Sequence, residues 1–359
     1  MKRIYSLDFL KFLMALLIVS LHFQQEYSGG FLATAKFHIW YAVDLFFIIS
    51  GFFSISSLKK INESSISQSF FSYFIPKCFR IYPMAMLSVI AYYVFSFAFR
   101  ICCGSWFRNL VPSLWKLLNS LLLTKGGPII FDVPFNYPLW YLGVLLICYC
   151  IAFLLFSLTR SKKISIATLY FIMVLFGLSI YCNDINFPYF NCLSARGYTA
   201  FFLGGLLNIF YYKCENLRKK ALALSIISVL VCLAAGLINF DLFYADEFCQ
   251  WGTCTFILAP SFLIIFLSID KWFKSEKWSF LGGIAYEIYL WHVPLLLILF
   301  CMQKKLNIMS KIQVSVQMAG FIFFVIVFSA VMYKFVEIPL IKKLNSLFEK
   351  YTNKENSCY

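Results

Sequence analysis

Three ionisable side chains lie on one face of the first apolar segment of the chain. Lys11 and His22 are eleven positions apart, so at 100° per residue they are offset by only about 20° around a helix. Asp8 falls within about 40° of His22, and the helical rise places His22 roughly 16 Å deeper than Lys11. Histidine titrates closer to neutrality than other side chains, which suits a general base. The stripe predicts His22 as a catalytic base, although simple helix packing of His22 and snorkelling of Lys11 would produce the same pattern.

Two carboxylates and a second histidine fall in other apolar segments. Asp44 lies near the start of the second segment, at a depth comparable with that of His22. A carboxylate there can orient an imidazole and stabilise its protonated form, or it can be a solvated interfacial charge. Glu287 and His292 are five residues apart on the ninth segment, so they face different directions. Because ionisable groups are costly in lipid, His22, Asp44 and Glu287 are the catalytic candidates, and His292 is a further candidate.

Basic residues mark the cytoplasmic end of the same stripe. Lys77 and Arg80 are three residues apart, so they share one face if their segment is helical. With Lys11 they form a cationic group that suits a phosphorylated ligand, and these three are the cofactor-binding candidates. Ordinary cytoplasmic positive charge or contact with lipid headgroups would explain them equally well. The sequence contains no phosphate-cradling glycine loop, nucleophile elbow or cluster of metal ligands, so no metal is expected.

The composition indicates what kind of protein must position these groups. Of 359 residues, 62% are hydrophobic and 13% are charged, whereas soluble proteins have about 45–50% and about 25%. Soluble enzymes, nucleic-acid-binding proteins and disordered regulators are therefore excluded as first interpretations. Because apolar stretches of about 20 residues cross a bilayer as helices, we predict an all-α polytopic membrane protein. About ten such stretches are present: 9–25, 39–58, 83–100, 139–158, 164–181, 198–212, 221–239, 252–269, 280–301 and 315–336.

The distribution of positive charge predicts the orientation. If the N-terminus is cytoplasmic, the cytoplasmic segments hold 20 lysines and arginines and the external segments hold nine. This bias follows the positive-inside rule and predicts that both termini are cytoplasmic. We expect a membrane domain over 1–340 and a short cytoplasmic tail over 341–359. The longest external loop, 101–138, contains an apolar stretch, 111–123, that is too short to span comfortably and is interpreted as an interfacial or re-entrant helix.

Several segments, in order along the chain, resemble the signatures of acyltransferase family 3, the integral membrane acyltransferases of the O-acetyltransferase type. Each is weak alone, whereas the ordered set is specific and covers nearly the whole chain. They are Tyr5-Ser-Leu-Asp8-Phe-Leu-Lys11 with His22 after ten intervening residues, Val43 to Phe52, Lys77-x-x-Arg80-Ile-Tyr-Pro83, Pro138-Leu-Trp140-Tyr-Leu, Tyr289-Leu-Trp291-His292-Val-Pro294 and Val336-Glu337-Ile-Pro339.

The chain departs from the family pattern in three respects. Lysine replaces the usual arginine at positions 11 and 77, which keeps the charge but loses the guanidinium fork. The acidic pair that many members carry after Trp140 is absent, since Tyr-Leu-Gly-Val follows that residue. We also expect no fused hydrolase-like domain. The second departure weakens any transfer of function to the fourth-helix region.

The resemblance implies transfer of an acyl group, usually acetyl, from a coenzyme A thioester to a hydroxyl of a surface or exported glycan or glycolipid. It implies no permanently bound cofactor, and it makes acetyl-CoA or another acyl-CoA a substrate. Lys11, Lys77 and Arg80 would hold the nucleotide phosphates, and His22 would take the proton of the acceptor hydroxyl. The expected partners are acyl-CoA, the glycan acceptor and membrane lipids, without nucleic acid. The expected location is a bacterial inner membrane.

Three other functions fit parts of the pattern. A transporter or flippase would use the polar stripe as a path, although many transporters have internal repeats and none is evident here. An envelope-glycan polymerase would need external arginines and a large external loop, for which 101–138 is the candidate. A non-catalytic membrane scaffold would leave His22, Asp44 and Glu287 without a role. Dependence on coenzyme A distinguishes all three from an acyltransferase.

Overall fold

The computed structural model describes residues 3–26, 41–61, 66–129, 135–159, 164–237, 247–306 and 312–356. Regular structure in these ranges is helical, with no β-strand, which confirms the predicted all-α class. The α-helices of the described part are α1 (Tyr5–Glu26), α2 (Ala42–Leu58), α3 (Ile66–Cys103), α4 (Leu114–Leu121), α5 (Trp140–Thr159), α6 (Ile166–Cys182), α7 (Cys192–Lys213), α8 (Arg218–Leu237), α9 (Glu247–Gly252), α10 (Ala259–Ile269), α11 (Lys277–Leu306), α12 (Val314–Met332) and α13 (Ile338–Asn356).

The helices indicate a multi-pass membrane protein. Six described helical segments are long and apolar enough to cross a membrane: Tyr5–Gln25, Ser69–Cys103, Tyr137–Thr159, Glu247–Trp272, Lys277–Gln303 and Val314–Lys350. Two shorter apolar helices are Ala42–Leu58 and Ile166–Cys182. Each of the ten predicted stretches overlaps a helix. The count of ten spans and the cytoplasmic position of both termini stay predictions.

Two helix pairs form the centre of the bundle. Helix α11 packs along α1, and α2 packs along α7. The second pair is unusually close, because a Cβ added at Gly51 would overlap the carbonyl oxygen of Phe201, and one at Gly204 would overlap that of Ile48. Glycine at these two positions lets the backbones touch, as small residues do in membrane helix packing. This close contact places the polar residues of α2 and α7 against each other.

Two helices contain π-helical turns, each with a buried polar residue. Thr253–Leu258 joins α9 to α10 and carries Thr255, and Tyr333–Glu337 joins α12 to α13 and carries Glu337. Single π-helical turns inside α-helices occur frequently at functional sites. Helix α13 continues through residue 341, so the predicted boundary between membrane domain and tail lies inside a helix.

The loop between α3 and α5 is anchored to the bundle by aromatic side chains. Phe107 and Phe135 join a small buried cluster with Tyr92 of α3 and Val293 of α11. Within this loop α4 forms in the predicted stretch; Leu114, Trp115 and Leu118 are exposed, while Asn119 and Ser120 are buried. An apolar face turned outward is what contact with lipid requires; the depth of this helix stays a prediction.

Candidate active site

A chamber opens among the helix ends near the start of α1. Its volume is about 760 Å³. The described residues that line it include five cations, Arg3, Lys11, Lys77, Arg80 and Lys342, and two acids, Asp8 and Glu337. All three predicted cofactor-binding residues therefore share one cavity with an excess of positive charge. Lys342 comes from the predicted tail, so this segment belongs to the chamber.

Asp8 organises one side of the chamber. Its carboxylate accepts a hydrogen bond from Arg3 Nε at 2.6 Å and one from Lys11 Nζ at 3.1 Å. The opposite side of Asp8 lies against Gly282 of α11, where any side chain would collide with the carboxyl group. The start of α1 is fixed separately, because Asp270 accepts a hydrogen bond from the backbone amide of Ser6 at 3.0 Å. Lys11 is consequently held at the chamber wall in an ion pair.

Lys77 and Arg80 differ in how they are held. The ammonium of Lys77 lies over two aromatic rings, 4.1 Å from the centroid of Tyr73 and 4.7 Å from that of Tyr149. Arg80 is exposed to the chamber and has no hydrogen-bond or ion-pair partner among the described residues. Arg80 repels both Lys77 and Lys11 electrostatically. Although Asp8 pairs with Lys11 and Arg80 interacts electrostatically with Glu337, the five cations of the cavity outnumber its two acids, so a bound anion would stabilise them.

His22 lies at the other end of α1, partly exposed. Its Nδ1 is 3.1 Å from Gln25 Oε1 and 3.1 Å from the hydroxyl of Tyr137. An amide oxygen only accepts, so with this assignment Nδ1 carries the hydrogen and Nε2 keeps its lone pair. The ring stacks on His292 of α11, with centroids 5.2 Å apart and an interplanar angle of 18°. An imidazole with a bare Nε2 has the form that a general base requires.

A layer of three aromatic rings separates the chamber from this histidine pair. Phe46, Tyr141 and Tyr289 all line the chamber. Their ring centroids are 5.7 to 6.2 Å apart pairwise. On the far side, the ring of Tyr289 lies 6.0 Å from that of His292. Tyr289 lines the chamber and lies beside His292, which stacks on His22, so these side chains connect the chamber wall to His22 by direct contact.

The structure does not pair Asp44 with His22. Both carboxylate oxygens of Asp44 are occupied: Oδ1 accepts from Arg196, at 2.6 Å from Nη2, and Oδ2 accepts from Trp251 at 2.9 Å and Thr255 at 2.7 Å. The hydrogen bonds of Asp44 in the described chain therefore go to residues other than His22, and a catalytic role of Asp44 stays a prediction. Asp44 does lie near the His22 end of the bundle, but helix packing directs it to α7 and to the π-helical turn before α10. The Asp44 carboxylate therefore connects α2 to α7, to α9 and to the π-helical turn.

Glu287 also lies away from His22. Its Oε2 accepts a hydrogen bond from Trp291 at 2.7 Å, and its carboxyl group interacts electrostatically with that of Glu337 in the π-helical turn after α12. The other oxygen of Glu287 is buried. Because Glu337 lines the chamber, Glu287 lies behind the chamber wall. The three catalytic candidates thus occupy three different places.

Sequence reasoning did not assign a role to several residues that build the site. Tyr137 and Asn136 precede the Pro138 signature, and Asn136 fixes this loop by donating to Ser88 Oγ at 3.0 Å and to the Leu290 carbonyl at 2.9 Å. Its φ of 49° lies in the left-handed region, where asparagine is better tolerated than most residues. Arg196 could have been found from the sequence, because a single arginine at the start of an apolar helix is costly in lipid and indicates a buried partner. For Tyr137, no sequence signal exists.

The described residues contain no group of three or more histidine, cysteine or acidic side chains that could hold a metal ion.

Residues 4–334 match the family model for the acyltransferase domain of acyltransferase family 3. An amino-acid racemase from Enterococcus faecalis is 32% identical over 181 residues, covering 49% of this chain and 22% of the racemase. The chain therefore spans about a fifth of that relative's length. No solved structure matches the chain significantly. Since the family match covers almost the entire chain, the protein belongs to acyltransferase family 3.

Proposed function

We propose that this membrane acyltransferase moves an acyl group, in the first instance acetyl, from a coenzyme A thioester to a hydroxyl of a surface or exported polysaccharide or glycolipid. The observation that carries the proposal is the arrangement along α1: a cationic chamber at one end, a partly exposed imidazole at the other, and a thin aromatic layer between them. Such a layout suits a donor and an acceptor that approach from opposite sides. The proposed location is the inner membrane of a bacterium.

The donor would bind through its phosphates in the chamber. Arg80 can form charge-assisted hydrogen bonds to a phosphate, and Lys77 and Lys11 add positive charge at the same wall. The roughly 16 Å helical rise from Lys11 to His22 is a span that an extended arm of the donor can cover. To reach His22, the thioester must pass the ring of Tyr289, so donor binding has to displace the aromatic layer.

Transfer would then occur at Nε2 of His22. The acceptor hydroxyl gives its proton to this nitrogen while its oxygen attacks the thioester carbonyl. The new C–O bond forms, the C–S bond breaks, and the thiolate leaves towards the chamber. Gln25 accepts the Nδ1 hydrogen and so keeps the lone pair on Nε2, while Tyr137 contacts the same Nδ1. We favour this direct transfer over an acyl-histidine intermediate.

The experiment follows radiolabelled acetyl-CoA in membrane vesicles prepared from cells that naturally make the protein. Label should move onto an extractable glycan or glycolipid with wild type. The rate of label transfer by His22→Ala, at matched protein abundance, should be at least about 10²-fold lower than that of wild type, the usual scale of general-base catalysis. Leu17→Ala is the control, since Leu17 lies on the same helix with an exposed side chain. If wild type transfers no label, the donor is wrong or the protein has another activity; if His22→Ala transfers normally, the catalytic assignment is wrong.

A further inference from the structure

His292 combines two features that simple packing does not explain. Its side chain is completely buried on α11, and its Nδ1 lies 3.2 Å from the carbonyl oxygen of Ile288. Nδ1 must carry the hydrogen of that bond, so the neutral ring has a bare lone pair on Nε2. That Nε2 has no hydrogen-bond partner among the described residues. A buried acceptor without a hydrogen-bond partner destabilises a fold, and an apolar side chain of similar size would avoid that cost.

The position of His292 gives this lone pair a use. The ring stacks on His22 on one side and approaches Tyr289 on the other, and Tyr289 lines the chamber. His292 is therefore the ionisable side chain between the proposed base and the cavity proposed for the donor. The neutral forms of the two imidazoles match, since each has its hydrogen on Nδ1 and its lone pair on Nε2.

We propose that His292 returns the reaction proton to the leaving group. His22 accepts the proton of the acceptor hydroxyl as the C–O bond forms. The resulting imidazolium passes its Nε2 proton to Nε2 of His292 through a bridging water, because the nitrogen lone pairs of two stacked rings lie in the ring planes and do not face each other. His292 then protonates the thiolate sulfur as the C–S bond breaks, so the products are the ester and the free thiol. Both imidazoles return to their neutral forms, and no further reactant is consumed.

This role rests on the proposed acyl transfer and divides its two proton transfers between two side chains. The acceptor approaches His22 from the exposed end of α1, whereas the thioester enters past Tyr289, so its sulfur lies on the side of His22 where His292 is found. His22 then serves the acceptor oxygen, and His292 serves the leaving sulfur. Two protonated rings with centroids 5.2 Å apart would repel each other, so the pair holds at most one extra proton at a time.

The test compares His292→Phe and His292→Ala in the acetyl-CoA transfer assay with native membrane vesicles. His292→Phe keeps an aromatic ring beside His22 but carries no proton. We expect kcat to fall about 10²-fold or more, with the KM for acetyl-CoA nearly unchanged. His292→Ala should lose as much activity, and added imidazole should restore at least about 10-fold of it, whereas benzene, which fills the same space without carrying a proton, should restore none.

Leu296→Ala is the matched control, because Leu296 is equally buried one turn further along α11; imidazole should not change its activity. The proposal is overturned if His292→Phe retains activity near that of wild type, or if imidazole and benzene restore His292→Ala equally. It is also overturned if neither His292 variant accumulates in the membrane, since the residue is then structural. Absence of transfer by wild type is a separate result, which contradicts the proposed acyltransferase reaction itself.

Discussion

Two polar clusters near the same end of the bundle differ in how completely their hydrogen bonds are satisfied. The first is the Asp44 cluster, which consists of Asp44, Arg196, Trp251 and Thr255. Both carboxylate oxygens of Asp44 accept hydrogen bonds from the other three residues. In the histidine pair, Nε2 of His292 has no partner within the described chain, and His22 is partly exposed. Both clusters contain ionisable groups at similar depth, so sequence position does not separate them. The two clusters are distinguished by whether their hydrogen bonds are all made, because a group whose hydrogen bonds are all made has none left to offer a substrate.

The Asp44 cluster has the features of a structural connection between helices. Arg196 is sandwiched by aromatic rings, with its guanidinium 5.0 Å from the centroids of both Tyr41 and Trp140. The ion pair ties α2 to α7 at the point where the two helices pack closely. Removal of one partner would leave an uncompensated charge away from water, which costs far more than loss of an exposed pair.

The largest expected effect is therefore on stability. Asp44→Ala should destabilise the fold by about 3–5 kcal/mol, because Arg196 stays buried without its counter-charge. Thermal unfolding in detergent, followed by tryptophan fluorescence, should show a lowered midpoint together with loss of transfer activity. The double variant Asp44→Leu/Arg196→Met should recover most of the stability, since an apolar replacement of a buried ion pair is often neutral. His22→Ala should leave the midpoint unchanged.

The comparison would fail if Asp44→Ala kept the unfolding midpoint of wild type and lost only activity. Asp44 would then act in the reaction despite its saturated hydrogen bonds. If the double variant did not recover the unfolding midpoint, the ion pair would contribute more to stability than charge neutralisation.

Sequence reasoning located residues that share one helix and missed contacts between helices. Periodicity alone placed Lys11 and His22 on one stripe of α1, and the structure keeps them at opposite ends of it. The spacing of Lys77 and Arg80 likewise requires only that their segment is helical, which it is. These relations depend on the 3.6-residue period and nothing else.

The partners of Asp44 and Glu287 depend on which helices become neighbours and at what angle. Asp44 meets Arg196, which is 152 positions away in the chain. Glu287 interacts with Glu337, which lies in the π-helical turn between α12 and α13. One sequence carries the residues of such contacts but not their pairing, so sequence reasoning places Asp44 beside His22 and gives Glu287 no partner.

A second prediction concerns the chamber, where Arg80 has no hydrogen-bond or ion-pair partner within the described chain. Arg80→Gln should raise the KM for acetyl-CoA about 10–100-fold, the equivalent of losing charge-assisted hydrogen bonds worth about 1.5–3 kcal/mol. Lys77→Gln should have a smaller effect, because its ammonium is already stabilised by two rings. Steady-state kinetics in vesicles provide the measurement. Lys213→Gln, an exposed cation at the end of α7, is the control; an equal rise in all three variants would indicate general surface electrostatics instead of a phosphate site.

The smallest effect is expected at Tyr137, whose hydroxyl lies 3.1 Å from His22 Nδ1. Tyr137→Phe removes that hydroxyl but retains the ring, over which the Arg108 guanidinium lies at 4.3 Å. A neutral hydrogen bond contributes about 0.5–1.5 kcal/mol, so kcat should fall by about 2- to 12-fold without a change in unfolding midpoint. Tyr198→Phe removes an equivalent hydroxyl, bonded to the Tyr189 carbonyl at 2.9 Å, outside the site. It should lower stability slightly and leave kcat unchanged. The opposite pattern, with Tyr137 affecting only stability, would place this hydroxyl with the saturated structural contacts and not with the histidine pair.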